Sequence, residues 1–481
     1  MSLSCACRRH PPGAILEGAG RQGGPGQVIV GGMSWTLCWI RMGAATALLA
    51  SANGQVSPRG SSMVLDHPCP EVGAGLGFST AVLQMDGKGE KDVAAGAPGQ
   101  GAVVVFHGRF GSYEPFELTR IYTSTGAAVC PVPERDDGFG FHMASGQLDS
   151  DPLEELVVSA PWADVDGQVD AGLIYVMGGV TGMTPFPLPN PDPQQGALFG
   201  NSVAVGNFNG DTVADIAVGV PGYQVGGVTM GAVFVFFGPW WSPTIQLVPN
   251  PRPVENGFFG GHVNANDSDG DGIDELFVTA IGNTAAGIPV AGQAFVFPGP
   301  LDPNISIVVE DPVPSAADLP SPRFGMHMHA RGKWLLIGGN RKDWNGVHDA
   351  GVGFAARAPL YAPVDLYSYP NPRKSDHFAY RCLIADVVGD SRMDLTFILM
   401  GWAQLKNPNP RALVTWDGAN PTGPPTQIRT MLPGSSDHFA NGLSYGQLFP
   451  GGREEFVVGD ARYGRKGPAL VDVGRVVIYM N

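Results

Sequence analysis

One pattern recurs seven times along this chain and decides most of what the chain can become. Its fullest copy is "FFGGHVNANDSDGDGIDELFVTAIG", followed by "GQAFVFPG". An apolar residue and a glycine open it, an acidic stretch follows, and two apolar strand-like runs close it. The same order appears in "LFGNSVAVGNFNGDTVADIAVGVPG", "GFGFHMASGQLDSDPLEELVVSAP" and "GLGFSTAVLQMDGKGEKDVAAGAPG". Three worn copies lie downstream: "RFGMHMHARGKWLLIGG", "HFAYRCLIADVVGDSRMDLTFILMG" and "HFANGLSYGQLFPGGREEFVVGD". The leading residues are Leu76, Phe139, Phe199, Phe259, Phe324, Phe378 and Phe439, about 60 residues apart. A unit of that size cannot bury its own apolar faces, so neighbouring units must stack to make a core.

Each copy supplies about four short strands, in the fourth copy residues 262–266, 276–280, 293–298 and 305–309. The 69 glycines and 43 prolines agree with many short strands and tight turns, and disfavour long helices. Four-stranded units repeated around an axis make a β-propeller. The expected fold is therefore all-β, a seven-bladed propeller over residues 61–481 with blades starting near 76, 139, 199, 259, 324, 378 and 439. The seventh copy ends at "GRVVIYMN", its third strand, while "SSMVLDHP" before the first copy has a strand-like 63–66 and no sheet of its own. Pairing that N-terminal strand with the last blade closes the ring and covers a sheet edge.

The acidic stretch of blade four places Asp267, Asp269, Asp271 and Glu275 around Gly270 and Gly272. Short carboxylates alternating in this way suit a hard cation. An EF-hand is excluded, because its twelfth position would be Val278 and a strand follows instead of a helix. The turn is thus a hairpin tip between first and second strands, fixed by metal. Four acids so close repel one another unless neutralised.

These copies resemble the FG-GAP repeat of integrin α-subunit propellers. Phe199-Gly200 and Phe259-Gly260 match the first half of the motif; Gly96-Ala97-Pro98, Ser159-Ala160-Pro161 and Gly219-Val220-Pro221 match the second. The resemblance covers roughly residues 61–481, and copies five to seven lack the second half and most acidic positions. It implies calcium held by side chains at loop positions one, three, five and nine and by the carbonyl at seven. Those positions are Asp267, Asp269, Asp271, Ile273 and Glu275 in blade four, and Asn207, Asn209, Asp211, Val213 and Asp215 in blade three. In blade two they supply Gln147, Asp149, Asp151 and Glu155, with Pro152 in place of the usual glycine. Blade six keeps Asp386, Asp390 and Asp394 but has Val388 at position three. Blade one has Gln84, Asp86 and Asp92, with Lys88 at position five as a tethered cation in place of calcium.

Two further patterns concern function. His142, His262 and His327 share the fourth position of the first strand, where interblade hydrogen bonding is the expected role and a metal ring the lesser one. His377 and His438 read as turn residues. The loop after the second strand carries Trp162, Tyr223, Trp344, Trp402 and Tyr463. In the resembled propellers that loop lies opposite the calcium turns. These aromatics either cap the grooves between blades or form a recognition surface for protein or glycan.

The first 60 residues differ from the rest. Residues 1–32 read as a disordered or misannotated upstream extension. Residues 33–52, with Arg41, an apolar run and Ala50-Ser51-Ala52, read as a signal peptide starting at Met33 and cleaved after Ala52. Of six cysteines, Cys5, Cys7 and Cys38 precede that point, and a bridge between Cys69 and Cys130 is open. A net charge of −15 without a basic cluster argues against nucleic acid and suits an acidic protein that attracts divalent cations. No nucleophile elbow, P-loop or zinc motif is present. The expectation is a secreted or cell-surface, monomeric, calcium-stabilised propeller without stable membrane insertion. It would be a non-enzymatic module binding protein or glycan. The alternatives are a polysaccharide lyase or glycosidase on the same scaffold, and a scaffold without a specific ligand.

Overall fold

The computed structural model describes residues 55–56, 62–68, 73–87, 90–108, 116–123, 126–128, 137–149, 151–178, 184–314, 324–400, 411–430, 439–449, 453–461 and 474–479. The upstream extension, the whole signal-peptide stretch, Cys69, Cys130, Lys88, Trp402, His438 and Tyr463 lie outside these residues.

Seven antiparallel sheets follow the seven repeats. Blade four is typical: Phe259–Asn266, Glu275–Ala280, Gln293–Phe297 and Ile307–Glu310 lie in that order. Its first strand begins three residues earlier than the sequence pattern suggests. Phe259 pairs with Ala280, then the register shifts before Val263 meets Val278. The irregular stretch hides the strand period that a sequence pattern relies on. Blades five, six and seven carry the same shift, after Phe324, Phe378 and Phe439.

Both faces of each blade are covered, which explains why the second and third strands read as continuous apolar runs. In Glu275–Ala280, Leu276, Val278 and Ala280 join a cluster with blade three, while Phe277 joins one with blade five. Seven such interblade clusters run around the ring. Ser62–Asp66 completes blade seven by pairing antiparallel with Arg475–Tyr479, Met63 opposite Ile478 and Leu65 opposite Val476. Gln55–Val56 adds a further strand outside it.

The two halves of the repeat motif are two sides of one contact. A Cβ on Gly219 would sit 2.1 Å from the Gly260 carbonyl oxygen of the next blade. A Cβ on Gly260, which has φ +88°, would sit 2.3 Å from the Ala232 carbonyl. Only glycine lets the backbones of adjacent blades approach this closely.

Candidate functional site

The first-to-second strand turns all fall at one end of the blades. In blade four, Asp267 accepts from the Gly270 and Gly272 N–H groups (2.7 and 3.0 Å), Asp269 from Asp271 (3.1 Å) and Asp271 from Ile273 (2.8 Å). These bonds fold the turn and bring carboxylate oxygens of Asp267, Asp269 and Asp271 within 4.8 Å of one another. None of the three forms an ion pair with a lysine or arginine among the described residues. A donor set of oxygens alone, uncompensated and convergent, fits a hard divalent cation. Glu275 is buried at the turn's base and accepts from Ser268 N–H (2.7 Å). Burial raises its carboxyl above the usual range, and Asp269 and Asp267 add to that.

Blade two brings together Asp149, Asp151 and Glu155, again within 4.8 Å. Glu155 accepts from Leu148 N–H (2.7 Å), and its Oε1 is buried without a hydrogen-bond partner. Burial pushes this carboxyl up to about 7. An orphaned carboxylate oxygen facing two aspartates fits a cation as well. Gln147 donates instead, to the Asp149 carbonyl (3.2 Å) and to the Asp151 carbonyl.

Blade three is less charged. The Asn209 amide donates to Asp211 Oδ2 (2.7 Å), and the Asn207 amide donates to the Asp211 carbonyl (2.8 Å). Val213 N–H binds Asp211 Oδ1 (2.7 Å). Asp215 spends both oxygens on backbone, accepting from Phe208 and Gly238 at 2.8 Å each. In blade six, Asp386 accepts from Gly389, Asp390 and Ser391, and Asp394 from Val387, Val388 and Gly418. In blade one, His107 Nδ1 lies 3.0 Å from Asp92 and 3.7 Å from Asp86.

One recurring device was not picked out in the sequence. The residue before the ninth-position acid clamps the preceding blade. Asp274 accepts from Asn207 N–H and donates its own N–H to the Asn207 carbonyl, both at 2.7 Å. Glu154 does the same to Gln84, and Glu454 to Asp386. The signal was visible as the acidic doublets Glu154-Glu155, Asp274-Glu275 and Glu454-Glu455. The first acid ties turn to turn, and the second ties the turn to its own blade.

The opposite end carries the aromatics. Trp162, Tyr223 and Trp344 are half-buried. Trp162 packs edge-on to Phe141 (5.1 Å) and lies over Gly138, where a Cβ would fall 2.5 Å from its ring. Tyr223 meets Phe234 edge-on (5.7 Å) and donates to Asp192 (2.7 Å). Tyr223 and Trp344 pack against the clusters between blades two and three and between blades four and five. Each thus covers the end of an apolar cluster and leaves part of its ring in solvent.

At the axis, the structure brings together the three histidines. Ring centroids are 5.8 Å apart for His142 and His262, and 4.4 Å for His262 and His327. Nδ1 of His142 accepts from Val203 N–H, and Nδ1 of His327 from Cys382 N–H, both at 3.3 Å. Both bonds run to the next blade, the interblade role expected of them. His377 takes φ +49° in the turn before Phe378.

Seven sheets around an axis, with acidic turns at one end, define a seven-bladed β-propeller of repeating blades. Residues 199–236 match the FG-GAP repeat family model. The chain is 28% identical over 243 residues to integrin alpha-PS2 of Drosophila melanogaster, an alignment covering 46% of this chain and 16% of the integrin. It is 31% identical over 156 residues to phosphatidylinositol-glycan-specific phospholipase D of Rattus norvegicus, covering 29% of this chain and 18% of that enzyme. The aligned part is thus less than a fifth of either relative. Virginiamycin B lyase from Staphylococcus aureus superposes with a TM-score of 0.47 at 9% identity, over 84% of this chain and 99% of the lyase. The chain carries an FG-GAP repeat and is similar to integrin α chains over part of its length. Among the described residues no helix is long and apolar enough to cross a membrane.

Proposed function

We propose that this propeller is a calcium-stabilised binding module, secreted or held at the cell surface, whose ligand is a protein or glycan. The ligand would dock on the end opposite the acidic turns. The observation that carries this reading is an apolar surface on three consecutive blades. Val169, Val225 and Val290 sit in the second-to-third strand loops of blades two, three and four and are 50%, 53% and 41% exposed. Phe258, 38% exposed, lies at the same end, before the first strand of blade four. These loops are held by backbone bonds: Gly196, Leu198 and Phe199 donate to Val169, Asp170 and Ala171 at 2.9, 3.1 and 2.9 Å. Preformed loops presenting apolar and aromatic groups bind with little ordering cost. Calcium would sit at the far end, in the turns of blades four and two, where it stiffens the frame without touching the ligand.

The test is a glycan array and a protein pull-down on the full chain in calcium. A Val169→Asp/Val225→Asp/Val290→Asp variant should lose whatever the unmutated chain captures while melting at the same temperature. Retained capture by this variant would refute the assignment of the face. The second reading, a polysaccharide lyase or glycosidase, draws on the histidine-lined axial cavity. Incubation with polyuronates and neutral polysaccharides, followed by product analysis, tests it directly.

A further inference from the structure

The fourth position of each repeat's opening motif holds, around the ring, Ser79, His142, Ser202, His262, His327, Arg381 and Gly442. Most of them line one cavity of about 480 Å³, together with His329, Tyr380 and Asn441. Its described lining contains four histidines and one arginine and no aspartate or glutamate. In a chain of net charge −15, a chamber with that composition runs against the average.

Arg381 forms no ion pair among the described residues, and its guanidinium carbon lies 5.8 Å from the centroid of the Tyr380 ring. Burial lowers its pKa, which records the cost of a guanidinium without a counterion. The histidines stay neutral beside it: burial pulls His142 down to about 4 and holds His262 and His327 well below the usual value. Arg381 lowers all three further. With Nδ1 accepting a backbone N–H, a neutral His142 or His327 carries its proton on Nε2. Each therefore keeps an N–H donor for another acceptor. His262 Nδ1 is buried with no hydrogen-bond partner at all. A cation would meet the arginine's charge, which argues against metal here. What the chamber lacks is an acceptor carrying negative charge.

We propose that the axial cavity binds a small oxyanion, with the Arg381 guanidinium as its charge partner and the His142 and His327 imidazole N–H groups as donors. The ligand class is a sulfate or carboxylate group, either free or carried on a sugar. The site is separate from the apolar loop surface and from the acidic turns, so its fate does not depend on theirs.

Calorimetric titration of the full chain at pH 7.5 and fixed ionic strength, with sodium sulfate in one arm and glucuronate in the other, tests this. Saturable binding of one equivalent is expected in at least one arm, and the responding arm identifies the group. Arg381→Gln should weaken that binding at least tenfold, and Arg381→Lys less. Absence of saturable binding in both arms, or unchanged affinity in Arg381→Gln, would overturn the proposal. Should Arg381→Gln fail to fold, the imidazole ¹⁵N resonances of the unmutated chain decide. Those of His142 and His327 move on titration if the proposal holds; resonances that stay fixed refute it.

Discussion

A single methylene separates the base of one acidic turn from that of another. Asp92, Asp215 and Asp394 each accept both from the turn's second residue and from a glycine at the end of the third strand: Gly108, Gly238 or Gly418. Glu155, one methylene longer, accepts from the turn and leaves Oε1 buried and unmatched. The glutamates at this position are Glu155, Glu275 and Glu455, and in blades two and four, those of Glu155 and Glu275, other carboxylates also converge. Calcium should therefore raise the melting temperature, since a ligand of the folded state alone stabilises it. Asp269→Ala combined with Asp151→Ala should remove most of that rise; identical melts of the unmutated chain in calcium and in chelator would contradict the assignment. Glu455 of blade seven gives a cleaner view of proton linkage, because among the described residues it belongs to no group of converging ligands. Burial lifts it from 4.5 to about 7 while Leu448 N–H binds it at 2.8 Å. A carboxyl raised in the folded state stabilises most below its unfolded pKa, and that contribution is lost as pH rises through the folded value. The full difference is on the order of 3 kcal/mol. Glu455→Gln should flatten the fall in melting temperature between pH 5 and 8. A variant that tracks the unmutated chain across that window would count against a buried, titrating Glu455.

At the level of the blade, the repeat motif is a packing device before it is anything else. The glycine of the second half-motif meets the glycine of the next blade's first half: Gly96 against Gly140, Gly219 against Gly260, Gly459 against Gly77. Gly219→Val should force these backbones apart, at a cost of about 3 kcal/mol. Chemical denaturation with the midpoint as readout checks this, and a midpoint within error of the unmutated chain would refute it. The same contact explains what the sequence made legible. Phe259-Gly260 and its counterparts are local, adjacent residues, so blade number, register and the position of each acidic turn could be read off directly. Two features could not be. The bulge after Phe259 conceals the start of the strand, because alternation fails where Gly260, Gly261 and His262 on one strand oppose Thr279 alone on the other. The axial cavity joins short runs of residues from blades distant in sequence, and Arg381 stands where other blades have serine, histidine or, at Gly442, glycine. The worn copies also hide their bonding. Arg331 of blade five reaches Glu454 of blade seven at 2.6 and 2.9 Å and lies 4.3 Å from the Tyr445 ring, a link that no repeat pattern contains.

Over the whole molecule, a propeller is only as stable as its seam. Every other blade is built from one continuous stretch of chain, but blade seven takes its outer strand from Ser62–Asp66 and its inner strands from the other end. The seam is reinforced at several depths. Met63 and Leu65 are fully buried in the cluster shared with blade one, alongside Val476 and Ile478. Leu76 bridges to Gly474, and the Gly77 carbonyl accepts from Gly442 N–H at 3.0 Å. Deleting residues 61–68 removes two buried side chains worth roughly 2 kcal/mol each. It also strips the pairing partner from Arg475–Tyr479, a strand buried along its whole length. An apolar edge exposed in that way pairs with other chains. The deletion should therefore aggregate on size-exclusion chromatography, or melt over a broad range instead of in one transition. Met63→Ala/Leu65→Ala separates the two contributions. It keeps the backbone ladder and loses the packing, so it should melt several degrees lower yet stay monomeric. If the deletion variant runs as a monomer with an unchanged melt, the ring does not depend on this strand, and the seam must be held by the contacts between blades one and seven alone.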